Sequence, residues 1–424
     1  MNGVGLIVRL KRFWAGERDV AGLYAGGFFQ SFFFGIWVVA LPFVIKRLSG
    51  LDSDVGLCVG LGFGGYVAAC LLGRYVLDYL DAKRTVQCGA GAVAVVVTAM
   101  YLTVLAADKG YFGSKAILAL TVLSGMQGFM TAMFWPPLMG WLSMGREGRQ
   151  LNQRLGIHNV AWSFGALIGP LIGGYLIEVS STLPVMVCVL ITLLSFAAVS
   201  FARRPLGQGN IADRSGAKGD GDKIDLLGRR FMWMGRIALL GSFVCVGLLR
   251  TQLALLFKFN LGFSESDYGM VITVMCLVVF VVFFAMGRTH AWHYVLSIFL
   301  GVQVLMFLSM LMILNGAGLW EFFVSAGFAG VSQAFLYSSH LYYGVSGAKN
   351  RSGRMAVHEV ILSAGIAVGS VAGGYLSDDF GRYAPYWFGI GVMAAGLLVQ
   401  SGIYFLHKSG ARGEAAGKRV KIED

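Results

Sequence analysis

The sequence predicts an all-α membrane protein in which twelve transmembrane helices form two related bundles of six. Three observations lead to this prediction: the composition, the number of long apolar segments and a repeated sequence pattern. Hydrophobic residues make up 57% of the 424 residues and charged residues only 13%, whereas soluble domains carry about 25% charged residues. We therefore expect an integral membrane protein.

Twelve apolar segments are long enough to cross a bilayer, which takes roughly 20 helical residues. They are predicted at residues 19–45, 54–77, 85–107, 114–143, 155–178, 183–202, 236–260, 266–287, 293–314, 319–345, 355–377 and 385–407. The polar segment Arg203–Phe231, rich in Gly, Asp and basic residues, separates six spans from six and is typical of a flexible linker. The expected organisation is an N-terminal tail at 1–18, a bundle at 19–202, a linker at 203–235, a second bundle at 236–407 and a C-terminal tail at 408–424.

Most of the 34 Lys and Arg residues lie in the tails and in the loops on the same side as the tails. Cytoplasmic loops carry such an excess, so both termini are predicted to be cytoplasmic. The net charge of +12 is then a topology signal rather than a sign of nucleic-acid binding, and the basic loops are expected to contact anionic lipid. The expected location is the plasma membrane, which in a bacterium is the inner membrane.

One stretch of the sequence occurs twice. Arg154–Leu176 matches Arg354–Leu376 without a gap, with Arg, His, Val, Ser, four Gly, Tyr and Leu in common. Ser53–Gly56 likewise matches Ser266–Gly269. The matched segments keep their order and membrane direction, so the two halves are predicted to be related by an axis along the membrane normal. Transporters with this pattern bind solute between the halves, near the midplane.

The glycine-rich part of the repeat carries a family resemblance. Gly165–Gly174, GALIGPLIGG, fills every defining position of the GxxxGPxxGG motif in the fifth helix of the major facilitator superfamily. Leu41-Pro42 is similar to the end of that family's first helix, and Gly73–Arg84 resembles a worn form of its GxxxDRxGRR loop that retains Asp78. The resemblance implies a secondary transporter that works by alternating access, and the fifth-helix motif favours efflux.

Coupling is left open at this point. Ser124 stands where the resemblance places a fourth-helix Arg that is associated with proton coupling. The remaining candidates for proton binding are His340, His358, Glu359 and Asp78. A coupling ion other than H⁺, exchange for a second solute, and uncoupled diffusion are the alternatives.

The repeat also predicts residues that act in conformational change. Gly165, Gly169 and Gly173 share one helix face and allow close helix packing, and Pro170 bends the helix or frees a carbonyl. Arg154 and its counterpart Arg354 lie where helices enter the membrane, either as an inner gate or, in the interpretation we favour, as interfacial groups near lipid phosphate. With Asp78 and Arg84 of the loop after the second span, the full set of candidate gating or conformational residues is Asp78, Arg84, Arg154, His158, Gly165, Gly169, Pro170, Gly173, Arg354, His358 and Glu359.

Arg250 is the strongest single candidate for solute binding. It lies 14 residues past Arg236, about 21 Å along a helix, in the outer half of the membrane. A charge at this depth usually faces a cavity or a partner. We expect Arg250 to bind an anionic group of the solute or to pair with an acid of another span; the alternative is a side chain that extends outward beside Lys258.

Polar and aromatic residues on the first, fourth, seventh and tenth spans complete the expected site. Amides and hydroxyls bind solutes by hydrogen bonds, and aromatic faces hold apolar or sugar-ring surfaces. The candidate solute-binding residues are Gln30, Trp37, Gln127, Trp135, Arg250, Gln252, Gln333, Tyr337 and His340.

Enzymatic motifs are absent from the sequence. It contains no GxSxG, HExxH or Walker loop, and its six cysteines show no CxxC or metal-ligand spacing. We expect no enzyme, catalytic residue, metal or cofactor. The expected partners are a small organic solute, anionic or aromatic, a coupling ion such as H⁺, and the bilayer, and the protein is expected to be a monomer. The competing interpretation is a transporter-like scaffold or sensor that moves no solute.

Overall fold

The computed structural model describes residues 19–73, 81–113, 115–143, 148–203, 226–345 and 351–420. Twelve helices in these ranges are long and apolar enough to cross a membrane, and no strand occurs in them. This confirms the predicted fold class. We number the helices 1 to 12 and name the side on which helix 1 begins the inner side, following the predicted orientation.

The first half contains helices 1 to 6. They span Ala21–Arg47, Asp52–Gly73, Ala82–Asp108, Lys115–Ser143, Gly148–Val179 and Leu183–Phe201. Helix 4 consists of two segments, Lys115–Ala132 and Trp135–Ser143. The break precedes Pro136 and Pro137, because neither proline has the amide hydrogen that would continue the helical bonds across this point.

The second half contains helices 7 to 12. They span Leu226–Leu256, Glu265–Met286, Leu296–Asn315, Leu319–Val345, Arg351–Phe380 and Ala384–Val420. Helix 7 continues into one π-helical turn, Phe257–Leu261, and ends at Gly262 in the left-handed conformation.

The helices pack in the same way within each half. Helix 1 packs on helices 5 and 6, helix 3 on helices 4 and 6, and helix 2 on helix 4. In the second half, helix 7 packs on helices 11 and 12, helix 9 on helices 10 and 12, and helix 8 on helix 10. The halves meet mainly where helix 2 packs on helix 11 and helix 5 on helix 8, which we name the 2–11 seam and the 5–8 seam.

Helices 1 and 7 form the centre of the molecule. Their most apolar segments are 78% and 83% buried, against 17% for helix 12 at the periphery. The repeated glycines allow this central packing. A Cβ atom at Gly169 would lie 2.7 Å from the Cα of Gly35 on helix 1, and one at Gly369 would overlap the carbonyl of Val244 on helix 7. Helices 5 and 11 therefore support helices 1 and 7 at backbone contact distance.

Candidate functional site

Arg250 lies on helix 7 where the two halves meet. Its guanidinium carbon is 5.5 Å from the ring centre of Phe34 on helix 1, and the residue is half-buried. Tyr268 of helix 8 fixes the local backbone, because its hydroxyl donates to the carbonyls of Leu249 and Arg250 at 3.1 Å each. Arg250 is thus held between helices 1, 7 and 8.

Arg250 forms no ion pair within the described ranges. Its buried Nε has no hydrogen-bond partner there either. The expected pairing of Arg250 with an acid of another span is therefore not found among the described residues. Lys258, the predicted outward neighbour, pairs instead with Glu265 at 2.9 Å, which leaves Arg250 as a deep cation with an aromatic neighbour.

Three candidate amides have unpaired atoms. Gln30 and Gln252 are 2% and 0% exposed. The Oε1 and Nε2 atoms of both have no hydrogen-bond partner among the described residues, and Oε1 of Gln333 has none either. An unpaired buried polar group costs about 1–3 kcal/mol. Water or a solute that bonds these amides would remove this cost.

Other sequence candidates do not join this group. Trp37 is buried in the main apolar core, and the Gln127 Nε2 donates to Thr131 Oγ1 on its own helix at 2.7 Å. Arg84 is exposed at the start of helix 3, and Asp78 lies outside the described residues.

A pair of histidines lies at the inner end of the second half. His340 and His358 are joined by a hydrogen bond of 2.7 Å between their Nδ1 atoms, and each is almost completely buried. Tyr337 packs edge-on against the His358 ring, with 4.5 Å between ring centres. Because one Nδ1 donates and the other accepts, the two rings share a single proton at this bond.

The first half has a related but different cluster. His158, the counterpart of His358, packs edge-on with Trp135 at 5.9 Å between ring centres. A Cβ atom at Gly27 would lie 3.1 Å from the His158 ring, so this histidine also contacts helix 1. Arg154, one turn before it, is only 7% exposed. Arg154 and His158 are therefore both buried within the protein, and their role as gate or as interfacial groups stays a prediction.

Glu359 lies in the 2–11 seam. The hydroxyl of Tyr66 on helix 2 donates to its Oε2 at 3.4 Å, across the two halves. The sequence pattern indicated Glu359 but not Tyr66, because Tyr66 lies on helix 2 and the solute site was expected on the first, fourth, seventh and tenth spans. The available signal was the difference between the repeats, since Asn159 occupies the place of Glu359 in the first half.

A network of charges closes the outer end of the same seam. Asp52, at the start of helix 2, accepts from Lys46 Nζ at 2.9 Å, Arg382 Nε at 2.8 Å and Ser377 Oγ at 2.7 Å. Arg382 and Ser377 belong to the second half. The counterpart of Asp52 is Glu265, which pairs with Lys258 of its own half and, at 3.7 Å, with Arg47 of the other.

Solved transporter structures share this fold. The nucleoside transporter NupG is 11% identical, with a TM-score of 0.67 over 90% of this chain and 98% of that chain. A bacterial homologue of the human lysosomal transporter Spinster is 14% identical, with a TM-score of 0.67 over 92% and 96% of the two chains. A POT family transporter in complex with 5-aminolevulinic acid is 12% identical, with a TM-score of 0.68 over 91% and 96%.

At these identities the likeness shows the fold alone. No curated protein was found to match the sequence. The family evidence is independent of the structures: the sequence pattern described as "Major Facilitator Superfamily" matches residues 23–348. That range covers most of both helical bundles. The chain belongs to the major facilitator superfamily of membrane transporters, as its sequence motifs predicted.

Proposed function

We propose that this protein is a secondary transporter of a small organic anion, which binds between the two halves with its anionic group on Arg250. The observation that carries the proposal is a guanidinium deep in helix 7 that forms no ion pair with a carboxylate of the described residues. A charge inside a membrane protein is costly and usually serves an ion or solute pathway. Carboxylate and phosphate groups match the guanidinium geometry through paired hydrogen bonds.

The aromatic surroundings of Arg250 favour an apolar part in the same solute. Phe34 contacts both Arg250 and, edge-on at 6.0 Å between ring centres, Phe63 of helix 2. These rings come from the first half, whereas the guanidinium comes from the second. A solute with an anionic group at one end and an apolar group at the other therefore contacts both halves.

Arg250→Gln tests the anchor, because it removes the charge and leaves a shorter side chain that is still polar. The measurement is a thermal-shift screen of the purified protein against organic anions, since a ligand that binds the folded state raises its apparent stability. Organic anions should stabilise the parent protein and lose at least about tenfold in affinity, 1.4 kcal/mol, in the variant. The matched control is Arg229→Gln, at an exposed position of the same helix.

Two results would contradict the Arg250 anchor. One is that only neutral or cationic solutes stabilise the protein. The other is that Arg250→Gln and Arg229→Gln bind the anions equally well. Binding without any movement of the solute into liposomes would instead support a transporter-like sensor.

The second part of the proposal is that transport is coupled to protons through Glu359. Among the described residues, the groups near its carboxylate are Tyr66 and Cys70 of helix 2 and Tyr337 of helix 10. None of these is a cation at neutral pH. Glu359 is half-buried, and a proton bound to its carboxylate would remove a charge that these uncharged groups do not balance.

The described basic groups nearest to Glu359 are associated with the neighbouring His358 and its partner His340. His358 bonds His340, and Arg236 of helix 7 lies close enough to His340 to interact with it electrostatically. Arg354 lies on helix 11, with its guanidinium against Met232 of helix 7. Tyr66 and Glu359 are bonded across the two halves. Proton binding at Glu359 and separation of the 2–11 seam are therefore expected to affect each other.

Glu359→Gln tests the coupling, because the amide keeps the shape of the side chain and removes its titration. Concentrative transport of the solute in liposomes should depend on a pH gradient in the parent protein and lose that dependence in the variant, while solute exchange continues. Unchanged pH dependence would contradict the coupling and leave the Arg250 anchor standing. Outward movement is the direction that the fifth-helix glycine motif favours.

A further inference from the structure

Two acids extend the repeat beyond its glycines. After the shared Gly-Gly-Tyr-Leu, helix 5 carries Glu178 and helix 11 carries Asp378, each four residues past the second glycine. Helices 2 and 8 also begin alike, with Asp52-Ser53-Asp54 and Glu265-Ser266-Asp267. The solute site uses neither feature, yet the structure brings the two together in both seams.

In the 2–11 seam, Asp378 binds the start of helix 2. Its Oδ1 accepts from the amide of Asp52 at 3.0 Å and its Oδ2 from the amide of Ser53 at 2.9 Å. The first amides of a helix have no partner within the helix, and negative charge is favoured there. Gly374 permits the approach, because a Cβ atom there would lie 2.7 Å from the Cα of Ser53.

In the 5–8 seam, the equivalent contact has its carboxylate in the first half and the capped helix in the second half. Glu178 Oε1 accepts from the amide of Ser266 at 2.9 Å. Gly174 lies as close to helix 8 as Gly374 does to helix 2, since its Cβ atom would be 2.9 Å from the Cα of Ser266. Each half thus uses a carboxylate to cap a helix of the other half.

These caps are additional to those that each helix already has. In the first half, Asp54 accepts from the amide of Leu51 at 2.8 Å. In the second half, Asp267 accepts from the amide of Ser264 at 2.9 Å. Helices 2 and 8 therefore keep a cap of their own when the halves separate. What the carboxylates from the other half stabilise is the contact between the halves.

We propose that Asp378 and Glu178 are positioning residues of the transport cycle, which hold the outer side closed by capping helices 2 and 8 of the opposite half. Opening toward the outer side breaks both contacts. Asp378 has the larger effect, because it binds two amides while Glu178 binds one. The inference goes beyond the proposed function, since it concerns the closed state and requires no particular solute.

The test measures access from the outer side with an impermeant thiol reagent. The reporter is a protein that retains Cys276 as its only cysteine; this residue is half-buried on helix 8, 11 residues from Glu265, about 16 Å from the outer end. Loss of a helix cap costs about 1 kcal/mol, so Asp378→Ala should raise the labelling rate about fivefold. Glu178→Ala should raise it less, and Asp378→Asn, which keeps one acceptor oxygen, should lie between Asp378→Ala and the parent.

Asp379→Ala is the matched control, because Asp379 is an exposed acid at the same helix end. It should label at the parental rate. A second reporter, with Cys70 of helix 2 as the only cysteine, is labelled from the inner side and should react more slowly in Asp378→Ala, since the outward-open state closes the inner side.

The proposal is overturned if Asp378→Ala and Asp379→Ala give equal labelling of Cys276. It is also overturned if Asp378→Ala speeds labelling from both sides, because that result indicates general loosening of the fold. If Asp378→Ala does not reach the membrane, Asp378→Asn against Asp379→Asn gives the same comparison. No measurement uses a solute, so failure of the Arg250 anchor does not affect the result.

Discussion

The 2–11 and 5–8 seams are alike in backbone and unlike in chemistry. Each brings one glycine, Gly374 or Gly174, against the start of a helix from the other half. At the inner end, however, the 2–11 seam joins Tyr66 to Glu359 by a hydrogen bond, whereas the 5–8 seam joins Trp162 to Phe283 through aromatic rings 6.5 Å apart. The 2–11 seam thus has polar contacts at both ends, whereas the 5–8 seam has an apolar contact at its inner end.

The difference indicates separate roles for the two seams. Apolar contacts between rings are insensitive to charge and direction, so the 5–8 seam is suited to sliding or bending. Hydrogen bonds to carboxylates require defined geometry and respond to protonation. The 2–11 seam is therefore the better candidate for the contact whose making and breaking sets the state of the transporter.

The largest expected effect comes from blocking the close approach at the outer end. Gly374→Leu places a side chain where a Cβ atom alone would lie 2.7 Å from the Cα of Ser53. Overpacking of this kind costs about 1–3 kcal/mol, and here the halves can avoid it by separating at the outer side. We expect strong labelling of a sole Cys276 from outside.

The control for this substitution is Gly64→Leu on helix 2, where a Cβ atom would meet no other atom within 4 Å. It should leave labelling unchanged. Equal behaviour of the two leucine variants would show that the glycine contact of the 2–11 seam does not determine outer closure.

A smaller effect is expected from the two acids at the starts of helices 2 and 8. The Asp52 side chain is 4% exposed and its partners Lys46 and Arg382 are 18% and 25% exposed. Removing one member of a buried ion pair costs about 3–5 kcal/mol, and partial exposure reduces this, so Asp52→Ala should lower the free energy of unfolding by about 2 kcal/mol.

The equivalent substitution in the other seam, Glu265→Ala, should cost less. Its partners Lys258 and Arg47 are 40% and 36% exposed, and exposed pairs contribute about 0.2–1 kcal/mol. Chemical unfolding of both variants in detergent checks the order. If Glu265→Ala is as destabilising as Asp52→Ala, the 2–11 seam is not the stronger of the two at its outer end.

Composition and repetition were sufficient to predict the twelve helices and their division into two halves, and the glycine motif of helix 5 indicated the family. These features depend on local apolar length and on the glycine spacing of Gly165, Gly169 and Gly173, both of which are visible along the chain. The resemblance also indicated the transporter class, which the family match supports.

Contacts between the halves could not be predicted in the same way. Asp378 and the amide of Asp52 are 326 residues apart in the chain, and no local pattern marks either as a partner of the other. Span membership also does not determine which way a side chain points. Trp37 and Gln127 were grouped with Arg250 because of their spans, yet one packs in the core and the other bonds its own helix.

The π-helical turn at the end of helix 7 explains a one-residue change of register between the halves. Lys46 and Asp52 are six residues apart, whereas the equivalent Lys258 and Glu265 are seven apart. A π turn holds one residue more than an α turn and is the usual structural result of a single inserted residue. The second half thus keeps its lysine–acid pair despite the additional residue. An alignment of the two halves by sequence therefore needs a one-residue gap between Lys258 and Glu265, and the π turn is where the structure accommodates the additional residue.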